Sequence, residues 1–242
     1  MSRRGLRRSI GLLRAFRLEQ SDPDAFYGHL AADTVAGLAG LVSLDGAQVI
    51  DVGGGSGYLA EALRQVGASA VLIDPDPAEL GARGRSPAGA VRGDGGSLPL
   101  RSAAMDLVLC SNVLEHTSRP YELCEELIRV AKPGGLVWIS FTNWFSPWGG
   151  HETSPWHYLG WERALVRYRR HYGREPKNVH GENLFKVHIG PTLAWARELN
   201  DADLVLARPR YYPPWASFIV RVPAVREVAT WNLELVLRRH GG

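Results

Sequence analysis

Asp51 is the side chain whose setting says most about chemistry. It stands in the apolar run Val49-Ile50-Asp51-Val52, just ahead of Gly53-Gly54-Gly55-Ser56-Gly57, four glycines in five residues. Such a turn lets the backbone reverse sharply and approach a ligand closely. A carboxylate two residues before the first glycine repels a pyrophosphate and suits a ligand that carries an ammonium or sulfonium group. Two further acids, Asp74 and Asp94, follow at similar intervals. A second set lies far downstream: His151-Glu152 and His157 are candidates for a general base, because imidazole titrates near neutral pH and a neighbouring acid can orient it. A turn histidine bonded to backbone would look the same. No H-x-x-x-H spacing supports a metal centre, so none is expected.

The elements that must position these groups are legible on either side of them. Val49, Ile50 and Val52 suit a buried parallel strand, and Tyr58 to Val66 has apolar residues at helical spacing, so the first N–H groups of that helix point into the turn. A dinucleotide fingerprint counted from Gly53 would place Tyr58 where a small residue is required, and counted from Gly55 it starts late and leaves Asp51 without a role. Ala70 to Asp74 reads as a second strand ending in an acid, with Pro75 and Pro77 fixing the exit. Gly81 to Ala90 predicts a weak helix and loop. Met105 to Cys110, Leu136 to Phe141, Asp203 to Arg208 and Leu233 to Leu237 read as strands. Helices are predicted over Phe26 to Leu41, Tyr121 to Val130 and Pro191 to Leu199, with Lys132-Pro133-Gly134-Gly135 as a helix stop.

Asp51-x-Gly53-x-Gly55-x-Gly57 resembles the D/E-x-G-x-G-x-G motif of class I S-adenosylmethionine (SAM) dependent methyltransferases of the type 11-like kind. Further elements follow in the order seen in that family: an acid after the second strand, Gly93-Asp94, Leu98-Pro99, Val113-Leu114-Glu115-His116 and Lys132-Pro133-Gly134-Gly135. They cover about residues 45 to 142. The resemblance implies an α/β fold with a doubly wound, mainly parallel seven-stranded sheet, Rossmann-like, carrying an insertion after strand five. It implies SAM as cofactor. Asp51 with Gly53, Gly54, Gly55 and Gly57 would hold its amino-acid end, Asp74 and Pro75 would border the ribose, and Asp94 and Gly95 the adenine. Ser111, Asn112 and Val113 would line the pocket, and Tyr27, with His29 a weaker candidate, would cover the methionine end from the leading helix. Two alternatives remain open: an oxidoreductase using NAD or a nucleotide sugar, and a SAM-binding regulator without turnover.

Residues 142 to 190 break the regular pattern. They hold Trp144, Trp148, Trp156 and Trp161 and five of the eight histidines. So long a connection reads as a lid or acceptor-binding insertion. The tryptophans suit an apolar wall for a lipid, polyketide, quinone or sugar-lipid acceptor, or the packing of the lid itself. Arg210 to Trp215 is an aromatic, proline-stiffened loop that could border the same cleft. O-methylation of a small-molecule, lipid or glycan acceptor is the expected reaction.

Charge distribution narrows the partners. The chain has 242 residues and a formal net charge of +3, yet residues 1 to 17 alone contribute six arginines and no acid, so the rest is net acidic. A basic nucleic-acid surface is therefore not expected. Leu6, Ile10, Leu13 and Phe16 lie at helical spacing between those arginines, a pattern that could rest on an anionic membrane surface or pack on the domain. No run approaches the ~18 apolar residues of a membrane span. Cys110 and Cys124 read as buried thiols of a cytoplasmic protein, and the arginine-rich composition suggests a bacterial source. The organisation expected is a basic segment over residues 1–20 and a single domain over 21–242 containing the 142–190 insertion.

Overall fold

The computed structural model describes residues 5–18 and 21–241 and, of Arg17, the backbone only. Its elements follow the chain as α1 (Leu6–Ala15), α2 (Pro23–Leu38), β1 (Gln48–Val52), α3 (Tyr58–Gln65), β2 (Ser69–Asp74), α4 (Pro77–Gly81), β3 (Ala90–Arg92), β4 (Met105–Ser111) and α5 (Pro120–Val130). Then come β5 (Ala131–Thr142), α6 (Trp161–Tyr172), α7 (Ile189–Arg197), β6 (Ala202–Pro209), α8 (Val225–Ala229) and β7 (Asn232–Arg239). The strands form one seven-stranded sheet in the order β3-β2-β1-β4-β5-β7-β6. All neighbours are parallel except β7, which runs antiparallel to both β5 and β6.

The near-continuous apolar strands are explained by burial on both faces. Ile50, Val52, Val108 and Cys110 pack with Leu123, Leu127 and Ile128 of α5 and Leu193 of α7. Their alternate neighbours Val49, Leu107 and Leu109 face the other way, onto Val35 and Leu38 of α2 and Ala60 and Leu63 of α3. Successive residues of a strand point to opposite faces, so a centre strand of such a sandwich has no solvent side on which polar residues could alternate. Cys110 and Cys124 are both buried and unbridged.

Strand order reverses between β1 and β4, and the crevice at the carboxyl ends of these two strands is where ligands bind in open α/β sheets. Asp51 lies near the end of β1 and Ser111 at the end of β4. Two predicted details differ. Lys132-Pro133-Gly134-Gly135 follows the end of α5 at Val130, where the helix stop is expected, but it lies within β5, which begins at Ala131, and the four residues form an irregularity between the Met105–Ala131 and Leu107–Leu136 pairings. The weak helix expected over Gly81 to Ala90 lies earlier, at Pro77–Gly81, where Pro77 occupies the first turn and the Asp76 carboxylate accepts from the Ala78 N–H at 2.8 Å.

The N-terminal helix docks by a face other than the expected one. Ser9, Leu12 and Ala15 of α1 are buried, whereas Leu6, Ile10 and Leu13 are exposed. Small Ser9 and Ala15 let the helix come close, and Arg8 secures it with a two-pronged ion pair to Asp33 of α2 and a bond to the Arg210 carbonyl at 3.1 Å. Membrane contact through this helix finds no support. Arg3 and Arg4 of the predicted basic segment lie outside the described residues. No helix among the described residues is long and apolar enough to cross a membrane. Because Leu12 is 1% exposed, Leu12→Ala is expected to lower stability by about 2–4 kcal/mol in urea unfolding. Ile10→Ser or Leu13→Ser should stay within about 0.5 kcal/mol; the reverse ranking would show that α1 docks by its other face.

Candidate functional site

The glycine turn is a cradle built against two side chains. Gly53, Gly55 and Gly57 have φ of +70°, +50° and +80°, values at which a side chain is strained. Gly54 has an ordinary φ but no room, because a Cβ there would lie 2.3 Å from Asp51 Oδ2 and from Leu72. A Cβ on Gly53 would lie 2.4 Å from Val113 Cγ2. The turn is thus pressed onto the end of β1 on one side and onto the loop after β4 on the other. Gly57 then starts α3, whose N-terminus has no side-chain cap.

Asp51 is completely buried, and neither carboxylate oxygen has a hydrogen-bond partner. Burial, reinforced by the charge of Asp74, pushes its pKa up from 3.8 to about 7, although Arg64 and Arg210 oppose this. An orphaned buried carboxylate facing a glycine cradle is what a cationic ligand requires. Asp74 is better satisfied. Its Oδ2 accepts from the Gly55 N–H at 3.0 Å and its Oδ1 from the Asp76 N–H at 2.9 Å, and burial still raises its pKa. The acid at the end of β2 therefore helps to hold the turn at the end of β1.

The other predicted cofactor residues separate by role. Pro75 is exposed, and its carbonyl accepts from Arg92 at 3.3 Å. Asp94 is exposed and accepts from the Gly96 N–H at 2.9 Å, a turn-forming bond that leaves its second oxygen free of that turn. Gly95 is a packing glycine, since a Cβ would meet Val52 at 2.8 Å and Leu123 at 2.9 Å. Asn112 has φ +55°, and its side-chain oxygen accepts from Asn232 at 2.8 Å. Val113 lies against Gly53. Tyr27 of α2 stacks on Tyr58, the residue after the turn, with ring centroids 5.5 Å apart. His29 lies toward α1, near Gly11.

Arg210 organises this end of the sheet, a role that sequence spacing does not reveal. It is buried, donates to Ser111 at 3.0 Å, to Ser140 at 2.7 Å and to Thr34 at 2.9 Å, and lies over the Trp138 ring. It ties the ends of β4 and β5 to α2.

Residues 143 to 188 fold over the same end. Asn143 and Trp144 are anchored to the Trp231 and Val187 backbones, the Phe185 N–H donates to the Glu115 carbonyl at 2.7 Å, and Lys177 pairs with Glu79 near the glycine turn. The three predicted catalytic residues part company here. His157 is buried, with Nε2 at 3.0 Å from the Trp144 carbonyl and its ring edge-on to Trp144, and a Cβ on Gly150 would lie 2.6 Å from it. It is committed to holding the segment's shape. Glu152 is exposed and accepts from Asn178, so it does not orient His151. His151 has φ +48°, and its Nε2 is buried without a partner. Its neighbours are His116, with ring centroids 4.9 Å apart, and Glu115, with which the two histidines converge. Burial first, and then the nearby His116, His157 and Lys177, hold the His151 pKa down at about 3, so the ring is neutral at pH 7.

The tryptophans also divide. Trp144 is buried and packs the segment, whereas Trp148 and Trp156 are exposed. Trp148 stacks on Phe16 at the end of α1 and meets Trp231 edge-on, and Trp231 meets Tyr212. One aromatic wall is thus assembled from three distant parts of the chain.

A family model described as a methyltransferase domain matches residues 50–139, the stretch from β1 through β5. An uncharacterized methyltransferase of Mycolicibacterium gilvum (strain PYR-GCK) is 48% identical over 243 residues, covering 96% of this chain and 94% of its own length. Another, from Mycobacteroides abscessus, is 46% identical over 246 residues with the same coverage. Among solved structures, an S-adenosylmethionine dependent methyltransferase from Mesorhizobium loti superposes with a TM-score of 0.58 at 21% identity, covering 86% of this chain and 98% of its own. The relatives are bacterial and span the whole domain, insertion included. Their names count against both the oxidoreductase and the regulator alternatives.

The raised pKa of Asp51 carries a sign that can be measured. A native state that holds a proton longer than the unfolded chain loses stability as pH rises from the unfolded value of 3.8 through about 7. Asp51→Asn removes that loss. The ligand-free variant should match wild type near pH 4 and exceed it by roughly 2–4 kcal/mol at pH 8 in urea unfolding. A difference that does not change with pH would contradict the orphaned carboxylate.

Proposed function

The chain belongs to the class I S-adenosylmethionine-dependent methyltransferases, and from that premise we propose that it methylates a hydroxyl of a small-molecule, lipid or glycan acceptor. SAM is the cofactor, and when bound it supplies a methyl group on a sulfonium centre that is already a good leaving group. Asp51 answers the cationic amino-acid end from beneath the turn, where its unpaired charge has the most to gain. The Gly53 to Gly57 backbone provides close approach. Asp74, with Pro75 stiffening the exit of β2, borders the ribose, and Asp94 and Gly95 the adenine. Ser111, Asn112 and Val113 form the wall under the ring system, and Tyr27 covers the turn through its stack on Tyr58.

Much of the rate enhancement then comes from alignment and exclusion of water, which the segment over residues 143 to 188 provides. The aromatic wall of Phe16, Trp148, Tyr212 and Trp231 favours an acceptor with an extended apolar body. The observation that carries the hydroxyl reading is the convergence of neutral His151 with His116 and buried Glu115. An alcohol must lose its proton to become a good nucleophile, and this cluster is where the chain has assembled groups able to assist that loss. His157 and Glu152, tied to Trp144 and Asn178, support the segment instead.

The test pairs methyl-labelled SAM with fractionated small-molecule, lipid and glycan extracts, followed by identification of the labelled atom. Label on oxygen supports the reading, and label on nitrogen or carbon overturns it. Asparagine tolerates the left-handed backbone at position 151, so His151→Asn is the suitable variant. It should keep SAM affinity within about 3-fold while lowering kcat by about 10²–10⁴. Unchanged turnover would remove His151 from the chemistry.

A further inference from the structure

Glu115, His116 and His151 bring one carboxylate oxygen or ring nitrogen each to within 4.8 Å of one another. Spacing along the chain hides this, because Glu115 and His116 follow β4 whereas His151 arrives from the insertion. Each of the three is prepared in a way that ordinary packing does not require.

Glu115 is 1% exposed. Its Oε1 accepts from the Thr142 N–H at 2.9 Å, and its Oε2 is buried with no partner. His116 has Nδ1 at 2.8 Å from the Asn183 carbonyl. A carbonyl only accepts, so Nδ1 carries a proton, and in the neutral ring Nε2 is the nitrogen with the lone pair. Asn183 is itself fixed, its side chain accepting from the Val179 N–H at 2.6 Å and donating to the Lys177 carbonyl at 3.0 Å. A backbone carbonyl that sets the tautomer of a histidine is the usual outer support of a metal ligand. His151 presents a buried, unpartnered Nε2 from a backbone at φ +48°, a conformation that costs energy and is retained where function needs it. The Glu115 oxygen and the His116 Nε2 can both act as acceptors toward the same point as the unpartnered His151 Nε2, and a cation there would satisfy all three.

We propose that Glu115, His116 and His151 bind one divalent transition-metal ion of the zinc type, with a fourth position open toward the acceptor. A donor set of two imidazoles and one carboxylate suits zinc and its neighbours, whereas calcium and magnesium prefer all-oxygen shells. Three protein ligands with an open position are the pattern of catalytic rather than structural zinc. Ligand bonds of about 2.0–2.2 Å put tetrahedral ligand atoms about 3.4 Å apart, so binding draws the three side chains together by about an ångström. An alcohol on the open position ionises far more readily than a free one and releases its proton to solvent. The three-ligand site stands on its own geometry. The role of its fourth position rests on the hydroxyl acceptor proposed above.

The experiment uses the full chain, stripped with a chelator and titrated with Zn²⁺ and with Co²⁺ as a spectroscopic probe, while SAM binding is measured in parallel. One ion per chain is expected. Glu115→Gln, His116→Gln and His151→Asn should each weaken binding by about 100-fold or more, and His171→Ala, an exposed histidine on α6, should leave it unchanged. If Glu115→Gln fails to fold, His151→Asn decides, since its loop lies outside the central core. Absence of saturable binding, or equal affinity in wild type and in variants that still bind SAM, overturns the site. A metal-binding enzyme whose labelled product carries the methyl on nitrogen or carbon overturns the hydroxyl reading and leaves the ion in place.

Discussion

A carboxylate buried without a partner is the constraint around which this molecule is arranged. Leaving Asp51 charged in the interior is costly, and burial accordingly pushes its pKa up to about 7. The fold tolerates it because the surrounding layers are well packed: β1 is flanked by β2 and β4, and the apolar residues of the strand are covered by α5 and α7 on one face and α2 and α3 on the other. The turn that follows lies so close to the carboxylate that Gly54 has no space for a Cβ. Stability given up in the empty protein becomes affinity when a cation arrives, a trade that functional sites commonly make.

The proposed site has two halves with different physical origins. The cofactor half is made by the sheet itself, from strand ends and the turns after them, and its geometry is fixed by parallel register. The half proposed for the acceptor is the chain between β5 and α7, whose one long helix is α6 and which is pinned to the sheet at a few backbone points. Gly149 and Gly150 show how tightly that segment is folded: a Cβ on Gly149 would lie 2.0 Å from the Trp144 carbonyl oxygen and one on Gly150 2.6 Å from His157. The family match stops at residue 139, just before the segment proposed to hold the acceptor.

Legibility in the sequence follows the same division. The strands and the acid and glycine positions of the first half depend on local pattern, so they were readable to within a few residues. What failed there was fine geometry, such as the position of Lys132 to Gly135 inside a strand. For α1 the apolar stripe was visible, but the choice of face was not. Small Ser9 and Ala15 pack closely, and Arg8 finds a partner in Asp33 far along the chain, so docking outweighed the larger side chains of the other stripe. In the second half the pairing of His151 with Glu152 was a sequence neighbourhood without a spatial one. The acid that reaches His151 is Glu115, and only the path of the insertion over the end of β4 brings them together. Arg210 was invisible for the same reason, since its three side-chain partners come from α2, β4 and β5.

The central claim is that Asp51 meets the positive charge of SAM. It is tested most directly by calorimetric titration of SAM at pH 7 in buffers of different ionisation enthalpy. With a carboxyl that is partly protonated in the empty protein, binding should release a measurable fraction of a proton, and the release should vanish in Asp51→Asn together with most of the affinity. Proton-neutral binding, with the same affinity in wild type and Asp51→Asn, would contradict the account.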